Sequence, residues 1–473
     1  MIVSLLALFL VACGSGSSTG QGDQQQSGDL YADSIDSSAD GGVTASDLQS
    51  DDAALDTSIV ADLWAADLAD DGGGTSDSQD DALGTDTTPD GVSDHLSLSN
   101  LTAGVTTLAS DEFDGREPGT EGWKKARAYL LEQLAACGLQ PAGTDGYQQP
   151  VTTGIGVNLL ARVDGRDDAL RNRVVLLSAH YDHIGHCGGF ICNGALDNAA
   201  AVTSVVAIGC ALVSNPPARS VLIALWDTEE PPTFLTEQMG SEFFAANPTL
   251  PLSAIDVAIV LDLYGGNFWG DYKGHLLFGA ELSPELRAAL DATAVPAGLE
   301  PLRLGLHVIE EWYYGHEAWS DYDAFRNRNI PFLFISDGIN KVYHTSEDDV
   351  SHLDLPKLAI EAQYLHDIVL TLANAQKTPT FVANGADYLR DAVEILALYD
   401  AVLAPVSGLV DTLVLSDTSA ALLQSDYLAV QQTKADLDGG AVATKKMITS
   451  LRTAVQRILC LAGSLYPESA CNI

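Results

Sequence analysis

The sequence predicts an α/β protein with a twisted, mostly parallel mixed sheet flanked by helices. Four short apolar runs recur along the chain, an apolar helical segment separates the first two, and polar residues follow each run. Runs that are apolar on both faces are typical of strands covered by helices on both sides, and hence of a largely parallel sheet. Strand, helix and strand in this order indicate an α/β domain.

The first thirteen residues resemble an export signal. Residues 1–13 are an apolar run too short to span a bilayer, and Leu10–Cys13 resembles a bacterial lipobox, whose cysteine becomes the lipid-bearing first residue. We therefore expect an exported protein, lipid-anchored to the bacterial outer membrane or cell surface, with Cys13 as its only membrane contact. Because a basic stretch before the apolar run is missing, an ordinary signal peptide or a mis-chosen start is the alternative.

Residues 14–95 are predicted to be a disordered spacer. Nineteen Asp and no Glu lie between Asp23 and Asp94, among many Ser and Gly. This composition buries too little apolar surface to offset chain entropy. The whole chain carries a net charge of -42, which excludes nucleic acid as a partner because that binding depends on Lys and Arg meeting phosphates.

An ordered domain is predicted over residues 96–375. Residues 121–138 have the spacing of a helix closed by a glycine, and residues 198–213 form a second helix candidate. The four apolar runs, each expected to be a strand, are residues 174–177, 221–226, 257–261 and 330–335. Residues 376–473 read as a helical C-terminal domain or extension, without a cluster of acid, base or nucleophile.

Side chains that bind metals follow every one of the four runs. Since open α/β sheets bind ligands at the carboxyl ends of their strands, these loops should converge on one point. Two histidines and three carboxylates there suit zinc, although manganese or cobalt would also fit. Asp197, just before the second helix, is placed to bridge two ions. Each residue alone is common in surface loops; the five together predict a metal site.

Five blocks of sequence, in order, resemble the co-catalytic zinc aminopeptidase family, which also includes glutamate carboxypeptidases and glutaminyl cyclases. The blocks are SAHYDHIG, GALDNAAA, WDTEE, VLDLYGG and VYHTSEDD, and LASDEFDGREPGTEG resembles the segment that opens the peptidase domain. The resemblance covers roughly residues 96–375. It implies two zinc ions and peptide substrates with a free N-terminus.

The resemblance also implies a role for each matching residue. It assigns His180 and Asp262 to one zinc, Glu230 and His344 to the other, Asp197 to the bridge, Glu229 to the general base, Asp182 to the orientation of His180, and Tyr343 to the oxyanion. One departure concerns WSDYDAF, in which Tyr322 stands where the family usually has histidine, so the role of Asp321 is left open.

Three functions remain open at this point. The first is an aminopeptidase; the second is a glutaminyl cyclase-like acyltransferase with a single zinc; the third is a non-catalytic peptide-binding relative. The intact Glu229 and the complete set of ligand residues argue against the third.

Histidines and cysteines outside this set are expected to be structural. His183 and His186 read as loop residues near the pocket mouth. In an exported protein Cys187–Cys192 and Cys460–Cys471 are compatible with disulfides, whereas Cys137 and Cys210 lie in apolar helical patterns and read as buried thiols.

Overall fold

A computed structural model of the chain describes residues 94–151, 154–267, 272–310, 318–403 and 416–463, together with Cys471. The expected signal segment, the anchor at Cys13 and nearly all of the expected spacer lie outside these residues.

A nine-stranded mixed sheet is the centre of the fold. The strand bounds are β1 Gln140–Pro141, β2 Gln148–Pro150, β3 Val157–Val163, β4 Val174–His180, β7 Ser220–Trp226, β8 Ile255–Leu261, β9 Gly274–Phe278, β10 Glu300–Arg303 and β11 Phe332–Ser336. These strands lie in the order β1-β3-β7-β4-β8-β11-β9-β10, and β2 pairs with β3. A separate hairpin consists of β5 His186–Cys187 and β6 Phe190–Ile191.

The four predicted strands are the four adjacent central ones. Strand β4 pairs in parallel with both β7 and β8, and β11 pairs in parallel with β8. The outer pairs of β3 with β7 and of β9 with β11 are antiparallel. Because β4, β7 and β8 are buried along their whole length, both faces carry apolar side chains, as the continuous apolar runs predict.

Helices cover both faces of the sheet. The first face holds α1 Leu98–Leu108, α2 Glu121–Ala136, α3 Ala200–Ser214, α5 Pro284–Ala292 and α7 Leu355–Asn374. The second face holds α4 Gly240–Ala246, α6 Asp323–Arg326 and the C-terminal helices α8 Tyr388–Leu403, α9 Asp417–Asp438 and α10 Lys445–Gly463. Apolar side chains of these last three helices, such as Ile395 and Ile458, share one buried cluster with Phe332 and Phe334 of β11.

All six cysteines of the described residues form disulfides. Cys187–Cys192 and Cys460–Cys471 are paired, as their sequence context allows. The expectation of free thiols at Cys137 and Cys210 is wrong, because the end of α2 meets α3 with the two Cα atoms 5.3 Å apart and the sulfurs bonded. Apolar helical patterns show that both residues are buried but not that they face each other.

Candidate metal centre

The predicted ligands come together at the carboxyl ends of the central strands. His180 is the last residue of β4, Asp262 follows β8 directly, and Glu230 lies in the turn after β7. His344 comes from the loop after β11, and Asp197 from the loop that leads into α3. Parallel strands therefore deliver ligands from distant parts of the chain to one edge of the sheet.

Asp197 lies between two histidines and presents a different oxygen to each. Its Oδ1 atom is 3.3 Å from Nε2 of His180, and its Oδ2 atom is 3.2 Å from Nε2 of His344. His180 Nε2 is also 3.3 Å from Oδ1 of Asp262, and His344 Nε2 is 3.3 Å from Oε2 of Glu230. Two groups of donors thus share one carboxylate.

These separations suit zinc. With Zn–N and Zn–O bonds of about 2.0–2.2 Å, two ligand atoms of a tetrahedral site lie about 3.3 Å apart. The four N···O distances, 3.2–3.3 Å, match this edge. The carboxylates are also at least nine-tenths buried, and buried carboxylates are typically paired with cations, coordinated to metals or neutralised by protonation.

Neighbouring carboxylates raise the pKa values of both histidines. Burial alone would lower the pKa of His344, but Asp197 and Glu230 outweigh it and raise that pKa to about 10. The pKa of His180 is likewise raised well above its ordinary value, against the effect of burial, by Glu229 and Asp262. A metal ion that binds His344 near neutral pH must therefore displace the proton of that ring.

A tight turn points the two adjacent glutamates in different directions. Thr228, just before them, has a φ of 57°. The Glu229 carboxylate lies 3.8 Å from His180, while Glu230 contacts His344. Asp182 fixes the turn, since its two carboxylate oxygens accept hydrogen bonds from the backbone N–H groups of Glu229 and Glu230, at 3.2 Å each.

Glu229 has the environment of a general base. It is 5% exposed, and burial raises its pKa well above the ordinary value; His180 opposes this shift, and Asp262 and Asp321 add to it. A carboxylate with a raised pKa accepts a proton more readily at neutral pH.

Asp182 contacts His180 mainly through its main chain. Nδ1 of His180 is 3.2 Å from the carbonyl oxygen of Asp182 and 3.7 Å from its Oδ1. Asp182 therefore orients the imidazole through that carbonyl, as second partners of ligating histidines do, and the Glu229–Glu230 turn through its carboxylate. Tyr343, the remaining predicted residue, is half-buried and stacks its ring on that of His344, with the centroids 3.8 Å apart.

His183 and His186 differ from each other in position. His186 is exposed, with Nε2 3.3 Å from Asp114, as expected of a loop residue. His183 is fully buried rather than at a pocket mouth, and its Nδ1 is 2.7 Å from Oε1 of Glu230.

The sequence did not reveal the importance of Arg116. This residue is 1% exposed and donates hydrogen bonds to five main-chain carbonyl oxygens. The acceptors belong to Leu108, Tyr181, Asn193, Gly194 and Asp197. One guanidinium therefore holds both ends of the loop between His180 and Asp197.

Two further aspartates fix the loops of the centre. Asp348 accepts hydrogen bonds from the backbone N–H groups of Leu196, at 2.8 Å, and of Asp197, at 3.1 Å. Asp227 accepts from Nε1 of Trp123 and from the hydroxyl of Tyr181. Both lie inside the quoted blocks WDTEE and VYHTSEDD, but sequence does not separate a ligand carboxylate from one that binds backbone N–H groups.

The departure at Tyr322 has a structural explanation. Its ring stacks on Phe332 in the apolar cluster beneath the sheet, and its hydroxyl donates to Glu310 at 2.5 Å. Asp321 beside it is fully buried, and burial raises its pKa to about 7.

A third group of acidic and histidine side chains lies behind the loop after β8. Nδ1 of His275 is 3.0 Å from Asp337 and 3.2 Å from Glu361, and Nζ of Lys357 is 3.1 Å and 3.0 Å from the same carboxylates. The lysine ammonium is therefore a counter-ion of both carboxylates. Asp337 also accepts from the backbone N–H of Gly265, so the network anchors the loop that follows Asp262.

Comparison with known proteins finds a match to one protein family. Residues 158–369 match the model of peptidase family M28. The uncharacterised protein YfbL of Escherichia coli is 22% identical over 300 residues, which are 60% of this chain and 90% of that protein. The match to the family model contains every residue of the two donor groups.

Two solved structures illustrate the range of similar folds. A Zn-dependent exopeptidase from Parabacteroides distasonis is 20% identical, with a TM-score of 0.45, and the match covers 58% of this chain and 98% of that one. A glutaminyl cyclase from Bacteroides thetaiotaomicron is 18% identical, with a TM-score of 0.44 and the same coverage.

Proposed function

We propose that the protein, whose residues 158–369 match the model of peptidase family M28, is an aminopeptidase with two zinc ions per chain. The observation that carries the proposal is the placement of Asp197, whose two oxygens lie 3.3 Å and 3.2 Å from His180 and His344. A carboxylate that reaches two histidines through separate oxygens suits a bridge between ions about 3.5–4 Å apart.

The proposed ligands divide into two sets around that bridge. His180 and Asp262 would hold one zinc, and Glu230 and His344 the other. Zinc in such a site lowers the pKa of water and polarises a carbonyl group.

The chain's own groups supply the proton transfers. Glu229 accepts the proton of the attacking water and passes it to the leaving amine, and the burial that raises its pKa favours this role. The hydroxyl of Tyr343, beside His344, would donate to the oxyanion that develops on the substrate. The many carboxylates favour a substrate that brings an ammonium group over one that brings a carboxylate.

Activity and zinc content together test this proposal. Purified protein is incubated with a panel of amino-acid anilides and, separately, with a peptide that begins with glutamine. We expect anilide hydrolysis and about two zinc ions per chain. Cyclisation of the glutamine with one zinc would identify a glutaminyl cyclase, and absence of bound metal would overturn the enzyme proposal.

A matched pair of variants tests the base. Glu229→Gln should lower kcat by at least about a hundredfold while zinc content stays near normal. Glu237→Gln changes an exposed glutamate in the same loop and should leave kcat unchanged. Full activity of the Glu229→Gln variant would refute the assignment.

We also propose that the protein is exported and anchored through Cys13. The three disulfides among the described residues support an oxidising compartment. Fractionation of expressing bacteria tests the anchor: the unchanged chain should sediment with membranes, and Cys13→Ser should release it. A wild-type chain in the soluble fraction would contradict the proposal.

A further inference from the structure

We propose that His183 is a positioning residue that selectively strengthens zinc binding at the Glu230 and His344 position. This inference rests on the proposed function, because it concerns one of the two proposed zinc sites. His183 belongs to no expected ligand set, yet it is the histidine nearest to Glu230.

Distances distinguish a ligand from a hydrogen-bond donor. Atoms that share one tetrahedral zinc lie about 3.3 Å apart. Nδ1 of His183 is 2.7 Å from Oε1 of Glu230, too close for two ligands of one ion but normal for an N–H···O hydrogen bond to a carboxylate. Its distance to Oδ2 of Asp197, 3.7 Å, is longer than the ligand edge.

The hydrogen bond determines which oxygen of Glu230 is available. His183 engages Oε1, whereas Oε2 faces Nε2 of His344 at 3.3 Å. A carboxylate whose one oxygen is held by a donor presents the other in a fixed direction. Partners of this kind are worth about 10- to 100-fold in metal affinity.

The ring is itself held in place. His183 is fully buried, and its backbone N–H donates to the carbonyl oxygen of Arg116 at 3.3 Å. Gly194, with a φ of 56°, packs so closely that a Cβ atom there would lie 2.6 Å from Cδ2 of the ring. Nε2 has no hydrogen-bond partner within the described part of the chain, so Glu230 is the ring's polar anchor there.

Zinc affinity in the full-length chain tests the inference. Zinc is titrated into metal-free protein in competition with a chromophoric chelator, which resolves a tighter and a weaker ion. In His183→Leu we expect one of the two dissociation constants to rise about 10- to 100-fold, and the other to change little. His183→Asn places an amide N–H near the position of Nδ1 and should restore most of that affinity. His186→Ala, in the same loop, should match the wild type.

Each other outcome overturns the inference. Unchanged affinity in His183→Leu would show a packing role only. Loss in both His183→Leu and His183→Asn would indicate a direct metal ligand. Equal weakening of both ions would indicate general damage to the loop, which the thermal unfolding of the metal-free variants would also reveal. A wild-type chain that binds fewer than two zinc ions would instead refute the proposed function.

Discussion

Arg116 donates a hydrogen bond of 3.4 Å to the main-chain carbonyl oxygen of Asp197. Asp197 is the residue whose carboxylate is shared by the two donor groups. The same guanidinium donates to the carbonyl oxygens of Gly194 and Tyr181, so it ties the loop that carries Asp197 to the end of β4. Burial lowers the pKa of Arg116 to about 10, while Asp197 and Asp348 oppose that shift, and the side chain stays charged at neutral pH.

Replacement of Arg116 should therefore affect both stability and metal content. In Arg116→Met, several buried carbonyl oxygens lose their donor, and we expect a loss of about 3 kcal/mol or more in the free energy of unfolding. Zinc content should fall below one ion per chain. Urea unfolding and metal analysis measure the two effects. Arg166→Met, at an exposed site, is the control, and normal zinc content in Arg116→Met would contradict the expected role.

Zinc uptake should release protons. The pKa of His344 is about 10 without metal, since Asp197 and Glu230 outweigh burial, so this ring is protonated at pH 7 and must lose its proton to bind zinc. Affinity should rise about tenfold per pH unit for each released proton as pH increases from 7 towards 10. Calorimetry in buffers of different ionisation enthalpy counts the protons. A count of zero at pH 7 would show that the rings are already neutral.

The buried His275 network should make stability depend on pH. Burial alone would lower the pKa of His275, but Glu361 and Asp337 raise it from 6.5 to about 9. A group with a pKa raised by folding stabilises the protein fully below its unfolded pKa, and this stabilisation is lost as pH rises through about 9. We therefore expect the free energy of unfolding of the metal-free chain to decrease as pH rises from 6.5 to about 9.

The His275→Gln variant should lose about 3 kcal/mol of that pH dependence. Denaturant titrations at pH 6 and pH 9 measure it. The partly buried His366, which lies outside this network, provides the control; changed to glutamine, it should keep the wild-type slope. Parallel curves for wild type and His275→Gln would exclude His275 as the source.

The disulfide between α2 and α3 should contribute more to stability than the one near the C-terminus. Cys137 and Cys210 are 73 residues apart in sequence, and Cys460 and Cys471 are 11 apart. In the chain-entropy model the longer loop is worth about 4 kcal/mol and the shorter about 3. Paired alanine variants, compared by Tm, should keep this order. Free thiols at Cys137 and Cys210 in alkylated peptides would disprove the bond itself.

The sequence predicts the sheet and its chemistry well because both depend on local patterns. Apolar runs identify β4, β7, β8 and β11, and polar residues that follow them identify one edge of the sheet. The contact of Cys137 with Cys210 depends on how α2 crosses α3, which no local pattern encodes. Arg116 binds main-chain carbonyl oxygens. Because every residue has one, no sequence pattern identifies these acceptors.

Local sequence patterns also do not predict the directions in which the side chains of Glu229 and Glu230 point. Adjacent side chains of an extended segment point to opposite sides, so two neighbouring glutamates can reach one site only from a turn. The sequence alone supports this much. Asp182, which follows β4, determines which glutamate contacts which histidine. Its carboxylate accepts hydrogen bonds from the backbone N–H groups of Glu229 and Glu230, which follow β7. Long-range hydrogen bonds of this kind appear only in the folded chain.

Because the candidate ligands follow separate strands, the chain must fold before it can bind an ion at this site. His180, Glu230, Asp262 and His344 come into range only after four strands have paired, so an unfolded chain offers no preformed cage for an ion. An ion that binds only the folded chain stabilises it by mass action, by about 4 kcal/mol at a thousandfold excess over its dissociation constant. An ion of this kind would bind after folding, and the stability of the folded chain would then depend on the free concentration of that ion around it.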